Sequence, residues 1–123
     1  MEAIGPIQVR VMHFLWKHGA STVHQVHDVL NAEPGVKPLA YTTILTVMRN
    51  LARRRFLSQT ASGRAHRFAP LVDEDTYKRA MVKQLRDHLY GGNLRSFVSY
   101  FSQDDTVPDD LRQRLRDWLV TTP

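Results

Sequence analysis

A chain of 123 residues, 42% of them apolar and 24% charged, has the length and core-forming content of one ordinary domain, or of one small domain with an appended oligomerisation element. Cysteine is absent, which excludes disulfides, thiolate metal sites and cysteine nucleophiles. The net charge of +5 is unevenly spread: residues 1–70 carry +6 and residues 71–123 carry −1, the footprint of a polyanion-binding module with a neutral attachment.

The first residues read neither as an export signal nor as a membrane span. Glu2 stands where a leader would be basic, and Gln8, Arg10 and His13 interrupt the apolar run. The expectation is a cytoplasmic protein without membrane insertion. A first helix is predicted over Pro6–His18, with proline in a first-turn position, Gly19 to end it, and Ile7, Val11, Phe14 and Leu15 facing inward. A second begins after Ser21 and Thr22, where Thr22 and Gln25 have capping-box spacing, and it buries Val23, Val26 and Leu30. The segment AEPGVKP, residues 32–38, holds two prolines and a glycine and is a loop.

Residues 39–55, LAYTTILTVMRNLARRR, read as a helix with two incompatible faces. At about 100° per residue, Ile44, Val47, Met48 and Leu51 share the side to be buried. Thr42, Thr43, Thr46, Arg49, Asn50 and Arg53 share the other, which has short hydroxyls near its start, guanidinium groups further along and no carboxylate. Such a face suits an element lying against phosphates, with threonines small enough to approach base edges; an ordinary solvated face is the alternative. Thr42, Thr43 and Thr46 are the candidate base readers, and Arg49, Asn50, Arg53 and Arg54 the candidate phosphate contacts.

Residues 56–61 and 65–69 read as a hairpin about a turn at Ser62-Gly63, with Arg64, His66 and Arg67 at and beyond its tip. Arg64 and Arg67 join the phosphate candidates. Three helices followed by a basic hairpin is the order of a winged helix-turn-helix, in which the third helix enters a major groove and the wing lies along the backbone. A plain structural ribbon is the alternative for the hairpin.

Pro70 marks a boundary, giving a winged-helix domain over 1–70 and a helical region over 71–123. A fourth helix is predicted over 73–90, with the stripe Tyr77, Met81, Leu85 and Leu89, ended by Gly91-Gly92. A short helix over 93–101 carries Leu94, Phe97, Val98 and Phe101. After the acidic turn QDDTVPDD, a last helix presents Leu111, Leu115, Trp118 and Leu119. Three short amphipathic helices have little to pack on within one chain, so their stripes point to dimerisation, with packing back onto the first domain as the alternative. The overall expectation is a mainly α protein with a small β-hairpin wing.

Catalysis and metal binding find little support. His24 and His27 are three apart but lack a third ligand, and Asp104-Asp105 and Asp109-Asp110 flank a helix start, where acidic residues stabilise for ordinary reasons. No nucleophile motif, phosphate-cradling glycine loop or paired catalytic carboxylate stands out, so neither enzymatic activity nor a cofactor is expected.

With these elements in place, the chain resembles the penicillinase-repressor family of bacterial regulators, which includes the methicillin-resistance repressor and copper-responsive relatives. The resemblance rests on VMHFLW at the end of helix 1, TTILTVMRNL, RFAPLV after the wing and YGGNLRSFVSYF before the last helix, in that order. It implies a homodimer that binds an inverted repeat in duplex DNA and blocks transcription. The threonines matching Thr43 and Thr46 read bases, while the wing and flanking basic residues hold phosphates. It also implies a membrane-linked sensor that sets off a protease. The family cut falls at an Asn-Phe bond, for which this chain has Tyr100-Phe101. The cysteine cluster of the copper-responsive branch is missing, and Arg55 replaces the family glycine after the recognition helix. A winged-helix scaffold binding other proteins, without sequence-specific DNA recognition, is the alternative function.

Overall fold

The computed structural model describes residues 1–123, apart from the side chain of Ser62. Helix α1, Pro6–His18, starts with proline where its missing N–H costs nothing and ends at Gly19, whose φ of 78° lets its N–H return to Leu15 O at 2.8 Å. Strand β1 is Ser21–Thr22, a pair too short for any sequence periodicity to announce. Thr22 then caps α2, Val23–Ala32. Its hydroxyl accepts from Gln25 N at 3.2 Å while the Gln25 side chain accepts from Thr22 N at 2.8 Å, the reciprocal box its spacing predicts.

Helix α3 covers Tyr41–Arg53, shorter at both ends than the predicted 39–55. At its start the Leu39 peptide is tied to the Asn31 side chain by two bonds of 2.8 Å, which hold it outside the helix. At its end Arg54 leaves the helix, and Arg55 takes a left-handed φ of 66°. Arg55 N–H reaches Ala52 O at 3.1 Å and Phe56 N–H reaches Leu51 O at 2.9 Å, a Schellman ending with a non-glycine residue at the left-handed position. The resemblance placed a glycine at this site. A Cβ there costs about 1–2 kcal/mol.

Strands β2, Leu57–Ser62, and β3, Ala65–Pro70, pair antiparallel from Leu57↔Pro70 to Ser62↔Ala65. The two-residue turn is therefore Gly63-Arg64, with Gly63 at φ 63°, one residue beyond the expected Ser62-Gly63. β1 pairs with the other edge of β3 through Ser21↔Phe68 and Thr22↔Arg67, so the sheet order is β1-β3-β2. Three helices and this small sheet form a winged helix-turn-helix around Val11, Leu15, Val26, Ile44, Met48, Leu51 and Phe68, all without exposed surface. Each such side chain contributes roughly 1.5–3 kcal/mol by leaving water.

The chain divides into two compact units, Met1–Lys78 and Arg79–Pro123. Residues 71–78 belong with the first. There, Trp16 Nε1 donates to Val72 O at 2.8 Å and Ile4 N donates to Tyr77 Oη at 3.0 Å. Tyr77 also packs its ring 5.8 Å from Trp16 and 6.0 Å from Phe56. It is only 6% exposed, so its predicted place on a dimerisation stripe is corrected: this ring fills the first unit's core.

Helix α4, Glu74–Gln84, begins in the first unit and ends in the second. Asp73 Oδ1 accepts from Thr76 N at 2.7 Å, and the Thr76 backbone and side-chain bonds hold the Asp73 carboxyl below its ordinary value. The uninterrupted helix expected over 73–90 instead widens into a π-helical turn at Leu85–Leu89, followed by Gly91 and Gly92 at positive φ. In the second unit α5, Leu94–Ser102, is capped by Asn93, whose side chain accepts from Ser96 N at 3.1 Å, and packs against α6, Asp109–Thr121. Arg95 donates to the Leu119 and Thr122 carbonyls at the end of α6, and Arg116 to Ser102 O at 3.4 Å. Before α6, the Thr106 side-chain and backbone bonds lower the Asp104 carboxyl.

Candidate nucleic-acid interface

Ile44, Met48 and Leu51 have no exposed surface and anchor α3, which turns the opposite face of the helix outward. On that face Thr42, Thr46, Arg49 and Arg53 are exposed, while Thr43 and Asn50 are half-buried. The first turn holds no acidic residue, and no acidic residue follows to Arg55. An anion therefore meets the positive end of the helix, threonine hydroxyls and arginines without a competing carboxylate.

The hairpin adds Arg64, His66 and Arg67, all exposed. Arg64 and His66 share a cleft of about 150 Å³ with Thr22 and His24 at the start of α2, Tyr41 and Arg49 on α3, and Gln59 on β2. Helix, hairpin and the capped end of α2 thus make one concave, basic surface. Among the described residues, Arg49, Arg53, Arg55 and Arg64 have no carboxylate partner. Arg67 donates to Ala20 O at 3.4 Å.

Arg54 departs from its expected role. Its guanidinium donates to Glu2 Oε2 at 2.9 Å and to Ala3 O at 3.5 Å, and lies 5.4 Å from the centre of the Phe56 ring. With its charge matched by Glu2, it strengthens the attachment of residues 2–4 rather than offering a cation to phosphate.

Sequence reasoning missed Tyr41, His24 and Gln59 as parts of this surface. Tyr41 sets its ring 4.6 Å from that of His24, a contact between two helices and across 17 positions of sequence that periodicity does not reveal. Gln59 sits opposite Phe68 on β3 and could have been found from the hairpin register.

In the second unit the remaining dimerisation candidates split by exposure. Leu85, Leu89, Phe101 and Leu111 are exposed, and Met81, Phe97, Leu115 and Trp118 are half-buried. The Phe97 and Phe101 rings lie 5.1 Å apart. Tyr100, 62% exposed, and Phe101 sit within helical backbone of α5. Among the described residues no group of three or more His, Cys, Asp or Glu side chains could hold a metal ion, and no helix is long and apolar enough to cross a membrane.

Comparison with known proteins gives a consistent picture. The family model described as penicillinase repressor matches residues 4–121. The transcriptional regulator BlaI of Mycobacterium tuberculosis is 40% identical over 73 residues, 58% of this chain and 51% of that protein. The chain thus spans about half the length of that relative. The penicillinase repressor of Bacillus licheniformis is 26% identical over 104 residues, covering 85% of this chain and 79% of its own. Among solved structures, the solution structure of the DNA-binding domain of the repressor BlaI is similar, with a TM-score of 0.52 and 25% identity over 63% of this chain and 94% of that one.

Proposed function

The chain belongs to the penicillinase repressor family, and on that premise we propose that it is a homodimeric, sequence-specific DNA-binding repressor that acts in the cytoplasm on an inverted-repeat operator. The observation that carries this reading is the carboxylate-free outer face of α3, set beside a basic hairpin. Thr42, Thr43 and Thr46 read base edges; Arg49, Asn50, Arg53, Arg64 and Arg67 hold phosphates. The first unit carries the DNA surface. The second, with Leu85, Leu89, Phe101 and Leu111 exposed, pairs with a second copy so that two half-sites are bound together.

Binding isotherms on a selected operator duplex and a shuffled duplex, at several salt concentrations, separate the roles. Thr46→Ala keeps helix and charge, so it weakens the operator by about 1–3 kcal/mol and the shuffled duplex little. Arg64→Ala weakens both and lowers the salt slope by about one counterion per lost contact in each subunit. Equal losses on both duplexes for Thr46→Ala would overturn the base-reading assignment. Weak salt dependence without sequence preference would indicate a protein-binding scaffold instead.

Relief of repression follows cleavage within residues 93–101 by a protease linked to a membrane sensor, as in the family the chain resembles. Tyr100 and Phe101 are exposed, but their helix must open first. Mass spectrometry of the protein from induced cells tests this: intact protein under full induction would exclude it.

A further inference from the structure

The connection between α2 and α3 is held by one side chain. The carboxamide of Asn31 meets the Leu39 peptide as another peptide would. Leu39 N–H donates to Oδ1 and Nδ2 donates to the Leu39 carbonyl, both at 2.8 Å. These opposed bonds fix the amide's orientation, since turning it over would set donor against donor and acceptor against acceptor. One Nδ2 hydrogen is thus committed to Leu39, and the other faces His27 Nε2 at 2.9 Å. Nε2 therefore accepts, and the imidazole proton lies on Nδ1, which is 3.5 Å from Asp28 Oδ1. Two residues beyond Leu39, Tyr41 opens α3 with its ring 4.6 Å from that of His24 and 5.9 Å, edge-on, from that of His27. The start of the helix bearing Thr42, Thr43 and Thr46 is held to α2 on both sides of Ala40.

We propose that Asn31 is a positioning residue for base reading and that His27 makes this positioning sensitive to pH; the proposal rests on the DNA-binding reading above. A proton on Nε2 turns the acceptor facing Asn31 into a donor. The amide cannot rotate to meet it without breaking both Leu39 bonds, so either those bonds break or the ring leaves and gives up its edge-on contact with Tyr41, and the start of α3 loses part of its hold on α2. The groups facing His27 are Asp28 and Asn31 on its own helix and Tyr41 on α3, with His24 across the Tyr41 ring. Asp28 lies on the Nδ1 side and leaves the conflict at Nε2 unrelieved. Base edges demand placement within about 0.5 Å, whereas long arginine side chains follow a phosphate through a small shift. The loss therefore falls on sequence discrimination.

The test uses the duplex that the wild-type protein enriches from a random-sequence pool at about pH 8, and a shuffled duplex of the same composition. The quantity read is the ratio of the two affinities. Asn31→Ala lowers it about tenfold, with little change on the shuffled duplex. In the wild type it falls about threefold between about pH 8 and about pH 5.5. His27→Gln, whose carbonyl still accepts from Asn31 but does not titrate, keeps the upper-pH ratio and holds it at the lower pH. Amide exchange at Leu39 follows that hold without DNA: protected in the wild type at the upper pH, it opens in Asn31→Ala while the α1 amides stay closed. If a duplex is enriched but Asn31→Ala retains the ratio, or the pH response survives in His27→Gln, the inference fails and the DNA reading stands. If the wild type enriches no duplex, both fall.

Discussion

Residues 1–78 and residues 79–123 hold comparable apolar side chains but place them differently. Every buried apolar residue among those described lies between Val11 and Tyr77, and in the second unit only Ser102 is buried. There Leu85, Leu89, Leu94, Phe101 and Leu111 remain 42–69% exposed. The first unit closes over its own core, so its stability belongs to one chain. The second unit leaves these side chains outside, so on the dimeric reading proposed above its stability should depend on how many chains are present.

The largest effect that sharpens this contrast is expected in the first unit. Leu51, fully buried, ties the end of α3 to Phe56, and Leu51→Ala should lower the free energy of unfolding by about 2–5 kcal/mol. Chemical denaturation at two protein concentrations should give the same loss, and a concentration-dependent loss would break the comparison. In the second unit, Leu85→Asp should move sedimentation from dimer toward monomer at protein concentrations on the order of micromolar. It should spare the first unit's own unfolding transition. A wild-type protein that stays monomeric at high concentration would remove the second half of the contrast.

A smaller and opposite effect is expected at Arg55. Relieving its left-handed backbone with Arg55→Gly should raise the first unit's stability by about 1 kcal/mol, independently of concentration. Acid should produce the smallest differences. Asp73 and Asp104 have folded values below their unfolded ones, so their contribution is complete above the ordinary carboxylate value and is lost as pH falls through the depressed folded value. Asp73→Asn should flatten the acid limb of the first unit's stability curve, and Asp104→Asn that of the second, as read by melting at stepped pH.

Local signals were legible in the sequence. Pro6 and Gly19 bracket α1, and Thr22 with Gln25 starts α2. The apolar face of α3 at Ile44, Met48 and Leu51 also follows from residues within a few positions of one another. What was hidden depends on distant partners. A two-residue strand has no periodicity, so β1 becomes visible only through Phe68 and Arg67. Arg54 looks like any basic residue until Glu2, 52 positions away, takes its guanidinium. Tyr77 fits a heptad-like stripe as well as it fits the core, and only Ile4, Trp16 and Phe56 decide between them. The π-helical turn at Leu85–Leu89 shifts the phase of α4 by a residue, which a regular helical wheel cannot show.

The small strand β1 has a consequence for operator architecture. By pairing Ser21 with Phe68 and Thr22 with Arg67, it fastens the hairpin to the start of α2, so Arg64 and Thr46 belong to the same unit. One extra base pair between two half-sites moves the second by about 3.4 Å and turns it by about 34°. A unit stitched in this way cannot stretch its own footprint to follow. If two copies bind two half-sites, as proposed, tolerance for their spacing would reside beyond Lys78, where the Gly91-Gly92 turn and the helices of the second unit lie. Transplanting residues 79–123 from a relative should carry the preferred spacing with it while the bases read within each half-site stay the same.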